Sequence, residues 1–237
     1  MAPRSWCHCC AGLGLAALHE CAVTAPDRRT RLRSATDQAH RRLDELVDQA
    51  SFFNNRLSYA RYLLATLHAR SPIECALTDS GVGAMFDIWT DRCIAAALRA
   101  DIADVTGAAP AEPSVSHVAL SAARVIGSLY VLEGSALGGR QLAVRAHVLG
   151  MSPAFGARHF ALQTAIPKSW SAFLRVLEAT PLDAAEEDDC VAAALGVFAA
   201  FERAYSAAVM PPLPAPHSPP STSPRPPPAL SRPSPAS

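Results

Sequence analysis

Two short stretches hold the residues best suited to chemistry. The first runs Leu32-Arg33-Ser34-Ala35-Thr36-Asp37-Gln38-Ala39-His40-Arg41-Arg42-Leu43. His40 follows Thr36 by one helical turn and precedes Leu43 and Val47 on the same side. A neutral imidazole directed from that stripe toward the interior needs a hydrogen-bond partner or a metal. Arg33 lies seven residues back, two turns or about 10.5 Å along the same face. A nitrogen ligand at one point and a cation at the rim suit an iron porphyrin with anionic propionates. A lone histidine on a helix stripe is more often a satisfied core or boundary residue, and that reading stands beside the first.

The second stretch runs Tyr130-Val131-Leu132-Glu133-Gly134-Ser135-Ala136-Leu137-Gly138-Gly139-Arg140. Its flanks read as strong helix, and a glycine inside a helix costs about 1 kcal/mol relative to alanine. Something must offset roughly three such costs. Gly134 and Gly138 are one turn apart, leaving backbone with no side chain over it, and Gly127 extends that bare face by two turns. Two explanations stand: a close helix crossing, or the close approach of a flat ligand where glycine permits a bend. A phosphate loop does not fit, because no strand precedes the segment and no Gly-Lys-Ser/Thr follows.

These stretches need helices to position them. The chain has 237 residues, half of them hydrophobic, which suits one domain with tails. Runs of β-branched residues are scarce and no segment alternates with period two, so the fold class is all-α. Helices are expected from a Thr30 cap to about Asp48, from Ser58 onward, near 71–79 and 86–103, over 114–149 with an interruption, and at 154–163, 168–179 and 182–208. Asp183, after Pro181 and three residues before Glu186, has the makings of a helix start.

Composition narrows the function. Twenty-one basic and twenty-one acidic residues balance, which removes the electrostatic footprint of a nucleic-acid binder. Cys7, Cys9, Cys10 and Cys21 fall in residues 1–27, which lack helical period and read as a disordered extension. Only Cys75, Cys93 and Cys190 fall in the domain, too few for a disulfide framework, so a reducing cytoplasm is expected. The first residues lack a clear signal-peptide pattern. The most apolar window, 115–132, contains His117 and Arg124 and reads as a buried helix rather than a membrane span. From residue 211 the chain is rich in Pro and Ser and reads as a disordered tail.

Taken together, the two motifs resemble those of the haem oxygenase family, especially its bacterial, biliverdin-producing, phytochrome-associated branch. The stretch from Leu32 through His40 is similar to that family's first-helix motif, and the stretch from Tyr130 to Gly139 to its distal helix, in the same order. The resemblance covers about residues 28 to 208. It implies a single helical domain over 28–210 that holds haem between two helices. His40 would be the axial iron ligand and Arg33 a propionate partner. Gly134 and Gly138 would be the distal glycines, with Tyr130, Gly139 and Arg175 contributing to the pocket. The reaction implied opens haem to biliverdin and releases iron and carbon monoxide. It needs oxygen and electrons from a ferredoxin or reductase, since the chain shows no flavin or nicotinamide motif. A phytochrome is an implied recipient of the product. One departure matters: the animal-type pattern has Asp after the first distal glycine, and here it is Ser135. The phytochrome-linked branch resembles Glu-Gly-Ser at this point. On a later helix Trp170, Phe173, Lys168 and Arg175 are further pocket candidates, with core packing or solvation the competing roles. His68, His117, His147 and His159 are rival iron ligands outside any matching motif. A non-catalytic haem carrier or sensor is the alternative function.

Overall fold

The computed structural model describes residues 27–111 and 118–209. The N-terminal cysteine cluster, His117, the expected helix opening at 114 and the proline-rich tail lie outside the described residues. Among the described residues the elements are helices joined by turns and loops, with isolated β-bridges at Ser152. The helices are α1 (Arg28–Gln49), α2 (Arg56–Asp79), α3 (Trp89–Arg92), α4 (Ala95–Thr106), α5 (Ala122–Val148), α6 (Arg158–Thr164), α7 (Ser169–Ala179) and α8 (Ala184–Val209), with a 3-10 turn at Val82–Ala84.

The helix starts show why local sequence allowed some expectations and shifted others. α1 is capped by Asp27, whose carboxylate accepts from the Thr30 backbone N–H at 2.6 Å. Thr30 is therefore the third helical residue rather than the cap, because the acidic side chain is the stronger acceptor for these orphan amides. Asn55 caps α2, with Ser58 as the reciprocal partner of a capping box. Asp183 and Glu186 form the expected reciprocal pair at the start of α8, at 2.9 Å each way.

The helix expected near 71–79 is instead the end of α2, which runs through Pro72. The proline ring removes one backbone hydrogen bond, typically costing about 3 kcal/mol. Burial of Leu63, Leu67 and Leu77 along the same helix offsets that loss. The expected helix at 86–103 is broken instead into α3 and α4, and the latter has no side-chain cap of its own. The buried Glu74 carboxylate serves in its place, accepting from Ile94 N at 2.8 Å and Ala95 N at 3.1 Å. α4 stops at Gly107, whose φ of +81° is open to glycine and strained for other residues. α5, expected to be interrupted, is one unbroken helix of 27 residues.

α8 lies at the centre. It packs against α1, α2 and α5, and buries Cys190, Ala194, Val197, Phe198, Phe201 and Tyr205. Its length and hydropathy suffice to cross a membrane, but its contacts are those of a core helix.

Candidate functional site

α1 and α5 lie along α8, and two contacts set their register. At one end Tyr130 of α5 meets Thr36 of α1 and feels the charges of Arg33 and Arg29. Burial pushes the Tyr130 hydroxyl up from its ordinary range, against the Thr36 hydrogen bond and the two cations. At the other end Arg145 of α5 pairs with Asp48 of α1 at 2.9 Å, its guanidinium 4.6 Å from the Phe53 ring centroid. The order is the same on both helices, so they run in the same direction. His40 is one turn beyond Thr36 and Gly134 one turn beyond Tyr130, which places both about 6 Å along their helices from a shared reference contact.

His40 departs from the expected inward orientation. The inward stripe of α1 is taken by Leu32, Thr36, Ala39 and Val47, and the imidazole beside it is 64% exposed. Its Nδ1 lies 3.0 Å from Asp44 Oδ2, one turn on, and its ring meets Phe198 of α8 edge-on at 5.9 Å between centroids. A carboxylate on Nδ1 holds the proton there and leaves the Nε2 lone pair for an external ligand. Sequence inspection missed Asp44, although an i,i+4 pair is visible in the sequence.

The glycines, taken together as one bare face, divide into separate jobs. At Gly127 a Cβ would stand 2.0 Å from the Cys190 carbonyl oxygen on α8, so this glycine permits a helix crossing. Gly127→Ala is expected to destabilise the domain by about 3 kcal/mol, because the obstacle is backbone rather than a mobile side chain. Thermal melts of the ligand-free protein should show a fall of roughly 6–12 °C. An unchanged melting point would refute the crossing. Gly138, in contrast, has nothing within 4 Å of its Cβ position, and Gly134 has only Trp170 Cζ3 at 3.8 Å. Packing does not require glycine at either position. Trp170 in turn stands 5.8 Å from Tyr130 and 5.6 Å from Phe173, centroid to centroid, closing one end of the space.

Gly139 belongs to a different contact. Its Cβ position is 2.9 Å from Gln163 Oε1 of α6, so its bare face seats that side chain rather than a flat ligand. Gln163 Nε2 also donates to Ser135 Oγ at 2.8 Å, and the Ser135 hydroxyl donates to Leu132 O at 2.6 Å. Beneath this lies a buried ion pair. Arg92 Nε donates to Glu133 Oε1 at 2.9 Å with both side chains fully buried, and Arg92 Nη1 donates to the Gln163 carbonyl at 2.8 Å. The second pair, Arg70–Glu74 at 2.6 Å, joins it through Arg70 Nη2 and the Arg92 carbonyl at 3.0 Å. Sequence inspection had no signal for Arg92 or Gln163, since these partners are 28 to 71 residues apart.

Arg175 falls elsewhere. Phe173 and Leu177 point α7 inward, and two residues' rotation turns Arg175 to the opposite, exposed side. There it lines a groove of about 440 Å³ with Met85, Phe86, Asp87 and Pro181, away from Tyr130 and Trp170. Lys168 stands at the start of α7. Of the rival ligands, His68 is exposed on α2, and His147 is exposed on α5 beside a groove lined by Met151, Ala157 and Phe160. Burial pushes the Cys93 and Cys190 thiols up to about 11, which disfavours the ligating thiolates.

His159 is enclosed in the core, 1% exposed, with Nδ1 2.7 Å from Asp101 Oδ2. Asp101 also accepts from the backbone N–H groups of Arg158 and His159 at 3.0 Å each, fastening α6 to α4. Burial, the largest influence, holds the His159 pKa below its ordinary 6.5, against the Asp101 hydrogen bond and charge. Burial pulls Asp101 upward, but its hydrogen bonds from His159 and Arg158 bring it below 3.8. Both folded-state values are depressed, so both contributions to stability are lost as pH falls. The histidine loss begins near pH 6.5, where the unfolded chain takes up a proton that the folded chain resists. Melting temperature is expected to fall from pH 7 to 5, less steeply in His159→Gln. Parallel pH profiles for the two proteins would contradict this.

Comparison with known proteins bears directly on this arrangement. The Heme oxygenase family model matches residues 27–207. Heme oxygenase PigA of Pseudomonas aeruginosa is 33% identical over 178 residues, covering 74% of this chain and 88% of that protein. The chain belongs to the haem oxygenase family. A heme oxygenase of Xanthomonas campestris is 33% identical over 154 residues, 65% of this chain and 92% of its own. Among solved structures, the NO- and CO-bound heme oxygenase of Neisseria meningitidis superposes with a TM-score of 0.70 at 24% identity, covering 78% of this chain and 93% of the other. That of Leptospira interrogans gives 0.61 at 18%, covering 77% and 100%. As a haem oxygenase the chain is an enzyme of haem degradation, with haem as its substrate. The residues present fit that substrate: an imidazole with a free Nε2, exposed arginines at positions 29 and 33, and an unfilled glycine face at the same level.

Proposed function

We propose that this haem oxygenase converts haem to biliverdin, iron and carbon monoxide, held by His40 on one face and open at Gly134 and Gly138 on the other. The observation that carries the reading is the bare glycine face of α5, with Gly134 level with an imidazole whose Nδ1 is already engaged by Asp44, and open space at Gly138 one turn further on. When bound, haem supplies the oxygen-activating iron and is itself consumed. His40 Nε2 ligates, with Asp44 fixing the ring. Arg33 and Arg29 meet the propionates as charge-assisted donors. Gly134 and Gly138 admit oxygen to the face opposite His40, while Tyr130 and Trp170 wall one end. Arg175 is left out of this set.

Electrons come from a ferredoxin or a reductase, and a cytoplasmic setting suits the free thiols Cys75, Cys93 and Cys190. A phytochrome is a natural recipient of the biliverdin. A non-catalytic carrier or sensor is favoured by one observation: the Ser135 hydroxyl is already committed to Leu132 and Gln163. Product stoichiometry decides between them. With ferredoxin and its reductase, one haem is expected to release one carbon monoxide, trapped on reduced myoglobin, and one chelatable iron. Stable haem with neither product would establish the carrier.

A further inference from the structure

We propose that Gln163 is the positioning residue for the glycine face, setting which hydrogen-bonding group Ser135 presents to the haem cleft. The inference rests on the proposed function for its haem readout. Ser135 donates its hydroxyl hydrogen to the Leu132 carbonyl, so toward Gln163 it must accept, and the Gln163 amide must donate. With its hydrogen spent on the helix, Ser135 offers the cleft no donor. Gln163 does this from a fixed place. It is 8% exposed, its Oε1 rests against Gly139, and its own carbonyl is held by Arg92, which also grips Glu133 just before Gly134. Segment 132–139 is thus tied to α6 on one side, leaving Gly138 to face open space on the other. Gly139 is glycine because a side chain there would displace Gln163, which explains why two adjacent glycines stand here with different duties.

The test separates the hydrogen bond from the packing. Gln163→Met keeps the side-chain bulk against Gly139 and removes the donor; Gln163→Ala removes both. In either variant Ser135 Oγ loses the donor that fixes it, and its hydroxyl is free to rotate between the Leu132 carbonyl and the cleft. A donor there favours the more negative, alkaline form of ferric haem. The pH midpoint of the acid–alkaline transition in the absorption spectrum is expected to fall by at least about 0.5 in both variants. In a Ser135→Ala background neither substitution should move it, because the effect runs through that hydroxyl. In the ligand-free protein, amide exchange across 135–139 is expected to quicken in both. An unchanged midpoint with unchanged exchange overturns the proposal. So does a midpoint that shifts equally without Ser135. If wild-type protein fails to bind ferric haem, the proposed function fails, and the exchange experiment still decides whether Gln163 ties down the segment.

Discussion

Replacing His40 with alanine is expected to abolish axial ligation of ferric haem and lower turnover at least about 100-fold, a loss no smaller than that typical of outer-shell changes at metal sites. The fold should survive, because the imidazole is 64% exposed and its polar partner is the equally exposed Asp44. Helical content and melting temperature are therefore expected to stay near wild type, since exposed side chains away from special features shift stability by about 0.5 kcal/mol or less. Added imidazole should restore a ligated spectrum by entering the space the side chain vacates. Ligation preserved in His40→Ala would move the ligand elsewhere. His147 would then be the first alternative to examine, since His159 is enclosed in the core with its Nδ1 on Asp101. Loss of ligation together with loss of helicity would show a structural role instead.

The second large effect is expected at Gly138, with stability and activity moving in opposite directions. The first carbon of a leucine there meets nothing in the ligand-free chain, since no packed atom lies within 4 Å of the Cβ position. Removing a mid-helix glycine gains up to about 1 kcal/mol in helix propensity. The ligand-free variant should therefore melt at or above the wild-type temperature. Haem that enters would find its open face filled, and cyanide or carbon monoxide binding and turnover are each expected to fall at least 100-fold, roughly the effect of a 1 Å misplacement in an active site. Gly127→Ala provides the contrast, destabilising the fold through a backbone clash with Cys190. If Gly138→Leu turns over haem normally, this face of α5 is not where the substrate lies.

The fold class and the two helices of the site were legible because their signals are local. Apolar stripes at helical spacing, the Asp183–Glu186 pair and glycines within an otherwise apolar run can all be read one turn at a time. Residues 71–79 belong to α2 because the cost of Pro72 is local while the burial that offsets it is spread along the helix. The division of labour among Gly127, Gly134, Gly138 and Gly139 was illegible for a related reason: spacing puts them on one helix, but only the packed partner tells them apart. Cys190 faces one, Gln163 another, and open space a third. His40 stands out in the sequence, yet its outward tilt depends on Thr36 and Ala39 taking the inward stripe. The outward position of Arg175 was illegible because a resemblance along α7 does not fix the helix's rotation, whereas the buried Phe173 and Leu177 do.

The most direct test of the central claim is an absorption time course on purified protein loaded with haemin, given ascorbate in air with catalase present. The account predicts a Soret band that decays while a broad red biliverdin absorption grows in its place, with both changes absent in His40→Ala. A wild-type Soret band that persists unchanged, with ascorbate and again with a ferredoxin system, would contradict it.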